Sequence, residues 1–325
     1  MSSADFDVVR DGPHLFSQRR VIAALLDTAG RSWWRNRTPH AAAAPLALPR
    51  PELTARVTSP SSALVRDYAR YLGVPADLYR STASVPGHLF TQWTFPLAAR
   101  ALREAPYPLT RILNAGCRLE MNASVPASSP LTVRASLVDI KDDGRRPLLH
   151  ERVVTDTPSH PAALVADLYL VVAAPSREQN GRDRQPPAAP PDAGRVPADA
   201  REMARFHFGP RAGLGFAFLT GDFNPIHWAP AYARAAGFAT PILHGVALLA
   251  RTLEGLGRAL FAGAVDRIRV IDVKFKRPLV LGDGADVGLY LDDANPRAFY
   301  LAQAPGVRPY LVGSFETHGP GARHA

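Results

Sequence analysis

The apolar positions group into runs of two lengths, and each length predicts a different element. Residues 64–72 repeat apolar side chains at helical spacing, and 90–102 form a longer apolar stretch interrupted at Pro96. Four strand-length runs follow at 112–121, 131–140, 148–155 and 163–172, with Asp142-Asp143-Gly144 as a hairpin turn between two of them. The pattern then lapses. Residues 175–200 hold Pro186-Pro187 and Pro190-Pro191 amid charged and small residues, the composition of a linker. Beyond it, the apolar run 216–219 reads as a strand ending near Thr220. A polar turn follows, then a short helix after Trp228, with Pro230 in its first turn and Gly237 as its stop. Residues 242–260 form a long, nearly all-apolar helix whose first turn holds His244 and Gly245. Strands are expected at 267–275, 285–291, 298–303 and 310–317.

The same plan therefore occurs twice. Ala69-Arg70-Tyr71-Leu72-Gly73 falls on Ala217-Phe218-Leu219-Thr220-Gly221, and 88–112 has the same length as 244–268, with the long helix inside both. A chain of 325 residues suits two domains of this size. The expected division is an extension over 1–50, a first unit over 51–174, the linker 175–200 and a second unit over 201–325. Within the extension, 21–26 with Trp33-Trp34 would pack as a helix on the body, and 41–51 would form a flexible strap.

The second copy carries a polar cluster that the first lacks. Asp222, Asn224 and His227 crowd around Pro225, which fixes its own φ and drives Asn224 towards an extended backbone. Opposite Asp222 stands Val74, opposite His227 stands Tyr79, and opposite Gly245 stands Leu89. A motif needed for folding would persist in both copies, whereas chemistry is needed only once. Each residue also has a plainer reading. Asp222 suits a turn or Asx cap, His227 a packed core position, and Asn224 either orients a site or holds the loop. Thr220 is structural or hydrogen-bonds the Asp222 turn, and His244 caps or packs. Gly245 costs about 1 kcal/mol against Ala inside a helix. In the first turn, though, it bares N–H groups that favour an oxyanion.

Gly221-Asp222-x-Asn224-Pro225-x-His227, then Phe238, then His244-Gly245, resembles the hydratase signature of the MaoC-like dehydratases, the (R)-specific enoyl-CoA hydratases. The resemblance implies an α+β double hot-dog, each half a curved antiparallel sheet wrapped around a long central helix. The two sheets would join edge to edge as an intrachain pseudo-dimer, with a further homodimer left open. It also implies a hydro-lyase converting a 2-enoyl-CoA to an (R)-3-hydroxyacyl-CoA. Asp222 and His227 would share the acid/base work, Asn224 would position water or substrate, and the Gly245 N–H would hold the thioester oxygen. No metal or redox cofactor is implied. Coenzyme A or phosphopantetheine enters as part of the substrate. Thr220, Lys274, Lys276 and Arg277 are candidate substrate-binding residues. For the basic three, the target is phosphate and the competing reading is a solvated strand edge.

Charge changes the picture only slightly. The net +9 raises nucleic acid as a partner, but the arginines are scattered and aromatics do not interleave with them as a stacking platform requires, so none is expected. It does favour an acidic carrier protein, so an acyl-carrier-protein dehydratase is the alternative, and a non-catalytic acyl-thioester binder a third reading. The single Cys117 excludes a disulfide framework and suits a reducing compartment. No apolar run reaches membrane-spanning length, and no membrane partner is expected. A cytoplasmic protein is the expectation.

Overall fold

The computed structural model describes His14, Gln18, Val21 and residues 46–74, 83–107, 112–143, 146–172 and 194–319. Tyr79, the turn residue Gly144, Trp33-Trp34, residues 22–26 of the expected helix, residues 41–45 of the expected strap, and linker positions 175–193 lie outside these residues.

In the first half, β1 (Leu53–Thr58) leads into α1 (Ser62–Tyr71). The Ser61 hydroxyl caps α1, accepting from the Leu64 N–H, and the helix buries Leu64, Val65, Tyr68 and Ala69 on one face. A short strand β2 (Ser84–Val85) and a 3-10 turn over Gly87–Leu89 precede α2 (Thr91–Ala101), which continues through Pro96. Then come β3 (Ile112–Met121), the two-residue β4 (Val125–Pro126), β5 (Pro130–Lys141), β6 (Leu148–Asp156) and β7 (Leu164–Val172). The second half repeats the series as β8 (Arg201–Phe208), α3 (Ala212–Thr220), the short α4 (Pro230–Ala235) and α5 (Gly245–Phe261). It closes with β9 (Ile268–Phe275), β10 (Ala285–Asp292), β11 (Asn295–Ala302) and β12 (Leu311–Thr317).

Ten of these strands form one antiparallel sheet in the order β1-β5-β6-β7-β3-β9-β12-β11-β10-β8. The order is a palindrome of the two copies, joined where β3 meets β9. There Gly116 pairs with Lys274, Cys117 with Val273 and Arg118 with Asp272. In the repeat, Cys117 and Val273 are equivalent positions, so a local twofold axis passes between them. The main apolar core draws on both halves, with two smaller clusters around Leu137 and Tyr290. This is the double hot-dog architecture, with α2 and α5 as the two central helices.

Four expectations need correction. Pro96 does not interrupt the first long helix, which runs unbroken over Thr91–Ala101. The run 216–219 belongs to α3 and not to a strand. Gly213, Gly215, Phe216, Ala217, Leu219 and Thr220 are all buried, so no polar stripe marked it as a helix. The long helix starts at Gly245, not at 242, because Leu243 donates its N–H to Leu279 and Ile242 bridges to Val280 in extended form. Strands β1 and β8, absent from the sequence reading, are the two outer edges of the sheet.

Helix α5 is tied to the first half by polar side chains. Arg251 donates to the main-chain oxygens of Leu72 (2.5 Å) and Tyr71 (2.7 Å), and Arg258 to that of Gly73 (3.2 Å). These carbonyls end α1, where no intrahelical donor remains for them. Among the described residues no helix is long and apolar enough to cross a membrane.

Candidate active site

The site begins where α3 stops. Gly221 terminates α3 in the left-handed conformation, φ 84°, and so turns the chain sharply into Asp222. The following residues are held by their own side chains. Asp222 Oδ1 accepts from the Asn224 N–H (3.3 Å), and Asn224 Oδ1 accepts from the Ile226 N–H (3.3 Å). Asn224 is thus the cap of a 3-10 turn over Pro225–His227, with Pro225 in its first position. Trp228 Nε1 closes the turn by donating to the Phe223 oxygen at 3.0 Å.

His227 leaves this turn with its tautomer set. Its Nδ1 lies 2.8 Å from the main-chain oxygen of Ile242, an atom that only accepts, so Nδ1 carries the proton and Nε2 the lone pair. Burial lowers the proton affinity of His227 below the ordinary imidazole value, while the Asp222 carboxylate and the Ile242 bond raise it. The Asp222 side chain keeps 31% exposure, so it faces the accessible side of the site.

A third residue joins them that the sequence reading set aside. His244, just before α5, stacks on His227 with ring centroids 3.6 Å apart and an angle of 26° between planes. Its Nε2 donates to the Asp222 main-chain oxygen at 3.0 Å and lies 3.8 Å from Oδ2. Burial drives its proton affinity far down, the neighbouring His227 lowers it further, and the Asp222 carbonyl opposes them. The repeat gives no sign of it, since both copies keep a histidine at this place, His88 and His244, as a residue needed for folding would be kept.

Donor atoms of Asp222, His227 and His244 lie within 4.8 Å of one another. The site thus gains a third donor beyond the Asp222–His227 pair. The rings stack, however, so their lone pairs lie in near-parallel planes and an ion in one plane is displaced from the other. That donor set fits a metal poorly. The same spacing suits acid/base chemistry, because one water about 2.8 Å from each partner can bridge it.

Gly245 opens α5, and its N–H belongs to the first turn, where backbone donors are free of intrahelical partners. A Cβ on Gly245 would meet the Phe275 ring at 3.0–3.1 Å. Gly213 on α3 is a second glycine that matters here, because the main chain of His227 passes directly over it.

Thr220 supports this turn from the end of α3, and the three basic candidates lie on and just after β9. Thr220 is buried, with its hydroxyl donating to Phe216 (2.8 Å) and receiving the Asp222 N–H (3.4 Å). Strand alternation sends Val273 to the core and leaves Lys274 exposed on the opposite face of the sheet. Arg277 stacks on Tyr310 at 3.7 Å and donates to the Arg308 oxygen at 3.1 Å, and Lys276 is exposed. In the first copy the corresponding place is closed. Val74 and Leu89 are buried apolar residues, and His88 is bound between Tyr68 (3.0 Å) and Glu254 (3.1 Å).

Comparison with known proteins supports the same part of the chain. Residues 192–296 match the family described as "MaoC like domain". The chain is 26% identical over 219 residues to 3-hydroxyacyl-thioester dehydratase Y of Mycobacterium tuberculosis, covering 65% of this chain and 72% of that protein. It is 27% identical over 222 residues to peroxisomal multifunctional enzyme type 2 of Drosophila melanogaster, covering 63% of this chain but 34% of that protein. A shorter match, 38% over 76 residues, reaches the (R)-specific enoyl-CoA hydratase of Aeromonas caviae, covering 23% of this chain and 56% of that protein. In three dimensions the chain resembles HtdX of Mycobacterium tuberculosis, with a TM-score of 0.61 at 19% identity over 82% of this chain and all of that one. The turn from Gly221 to His227, the start of α5 and these matches lead to one assignment: the second half of the chain carries a MaoC-like domain, within a double hot-dog fold.

Proposed function

We propose that the chain is a hydro-lyase of acyl thioesters, adding water to a 2-enoyl thioester or removing it from a 3-hydroxyacyl thioester. The observation that carries this reading is the pairing of a free His227 Nε2 with the Asp222 carboxylate, beside the open N-terminus of α5. Hydration needs a base for water, a proton for Cα and a donor for the thioester oxygen. One member of the Asp222/His227 pair takes a proton from water as its oxygen bonds to Cβ. The electron pair of the double bond moves to Cα and the thioester oxygen, where the Gly245 N–H receives the developing charge. The proton taken from water, held by the Asp222/His227 pair, is then delivered to Cα, so the pair ends in the state in which it began, and the reverse sequence is dehydration. Both groups project from one turn, so addition occurs on one face of the alkene. An (R)-3-hydroxyacyl product is the stereochemical form we propose, supported by the short match to an (R)-specific hydratase.

The carrier is the finer question. Coenzyme A is the first reading. A carrier-protein thioester is the second, favoured by the net +9 charge against an acidic partner. A spectrophotometric hydration assay with crotonyl-CoA, longer enoyl-CoAs and the matching carrier-protein thioesters separates them. Turnover on the first set alone supports coenzyme A. Turnover on none of them overturns the hydro-lyase reading.

A further inference from the structure

We infer that His244 is the positioning residue of this site, its ring backing the His227 imidazole while its Nε2–H holds the main-chain oxygen of Asp222. This rests on the acid/base reading of Asp222 and His227. His244 is 2% exposed, so it meets no solvent and acts through the two residues it touches. The main-chain oxygen of Asp222 only accepts, which places the His244 proton on Nε2 and a bare lone pair on Nδ1.

The first copy shows what was changed to make this arrangement. His88 occupies the equivalent place, but its Nδ1 faces the Tyr68 hydroxyl at 3.0 Å and its Nε2 the Glu254 carboxylate at 3.1 Å. In the second copy Phe216 replaces Tyr68, packing on His244 with centroids 4.8 Å apart, and Asp222 replaces Val74. The hydroxyl has gone, and His244 Nδ1 is buried without a hydrogen-bond partner. A buried acceptor left unmade costs stability, about 1–3 kcal/mol. The fold accepts that cost at the position that touches both proposed catalytic groups.

Two consequences follow for the reaction. The Asp222 main chain is held at its carbonyl, which fixes the point from which the carboxylate projects, while the Asn224 N–H holds its Oδ1. When His227 gains a proton, its charge lies against a neutral ring face instead of a second cation. His244 thus fixes geometry on one side and charge on the other.

Two substitutions in the full chain separate these contributions. His244→Gln keeps an amide donor for the Asp222 oxygen but removes the ring. His244→Phe keeps a ring against His227 but removes the donor. We expect kcat to fall about 10–100-fold in each, the scale of a small misplacement of catalytic groups, with KM within about threefold. Side-chain 15N–1H spectra of the wild-type protein should show His244 protonated at Nε2. Protonation at Nδ1 would overturn the inference even if neither variant folds. So would a kcat within twofold of wild type in both variants. A wild-type protein inactive on every thioester defeats the functional reading instead, which distinguishes the two failures.

Discussion

The main chain of His227 rests directly on Gly213, so closely that a Cβ at Gly213 would occupy the space of the His227 carbonyl oxygen. Helix α3 and the proposed catalytic turn are therefore in backbone contact, and only glycine permits it. Gly213→Ala should push the turn away from α3. We expect a lower melting temperature together with at least a tenfold fall in turnover. Calorimetry and enoyl-thioester hydration on one preparation check this, and unchanged values in both would mean that the turn yields without consequence.

Asp222→Asn should fold, because Asn retains an oxygen to accept from the Asn224 N–H. His227→Gln should fold for a related reason, since an amide can still donate to the Ile242 oxygen. Each removes a group assigned to proton transfer, and turnover should fall about 100-fold or more. Near-wild-type rates in either variant would remove that residue from the acid/base pair.

How much of this was legible beforehand follows from particular segments. Strand β3 is legible to its ends from its strand length and from Pro108 before it and Asn122 after it, although Ile112–Met121 holds only one β-branched residue. Helix α3 was not, since a helix buried on all sides shows no periodicity. Its repeat partner over 64–72 had already been read as helical, so the alignment of the copies contained the answer. Edge strand β1 alternates with only half-buried inner positions, too weak a pattern to separate from a loop. The Asp222–His227 turn was legible from residue types and spacing. The stacking of His244 was not, because two residues seventeen positions apart meet only after the chain folds back through α4.

Gly245→Val tests the oxyanion donor. The added carbons press on the Phe275 ring, which must shift by a few tenths of an ångström. Turnover should fall about 100-fold or more, the scale of a lost oxyanion donor. Adding Phe275→Leu should recover melting temperature without recovering rate. Recovery of both would make Gly245 a packing position.

One site per chain is expected. Val74 and Leu89 fill the equivalent place in the first copy, and His88 is committed to Tyr68 and Glu254. Titration with a tight-binding enoyl-thioester analogue should reach an end point of one equivalent. Two equivalents would show that the first copy also binds.

Acid should weaken the fold through the histidine pair. His227 and His244 both bind protons less readily folded than unfolded, chiefly through burial. Below the ordinary imidazole value of about 6.5, the unfolded chain takes up protons that the folded site refuses, so stability is lost as pH falls. Above that value neither form is charged and the effect vanishes. Each group sets a slope of at most about 1.4 kcal/mol per pH unit. Melting curves from pH 7.5 to 5 should show a steeper decline for wild type than for His244→Phe, and equal slopes would refute the assignment.

The seam between β3 and β9 has a consequence for biosynthesis. The two strands are neighbours in the sheet yet far apart in the chain, and β3 emerges from the ribosome long before β9 exists. During that interval β3 is a bare sheet edge, flanked on its other side by β7. Its natural partner is a near-copy of itself, centred on Cys117 where β9 will offer Val273. A second nascent chain offers the same strand in the same antiparallel sense. The duplication that gave the molecule a private partner for β3 therefore leaves a window in which two unfinished chains can pair with each other.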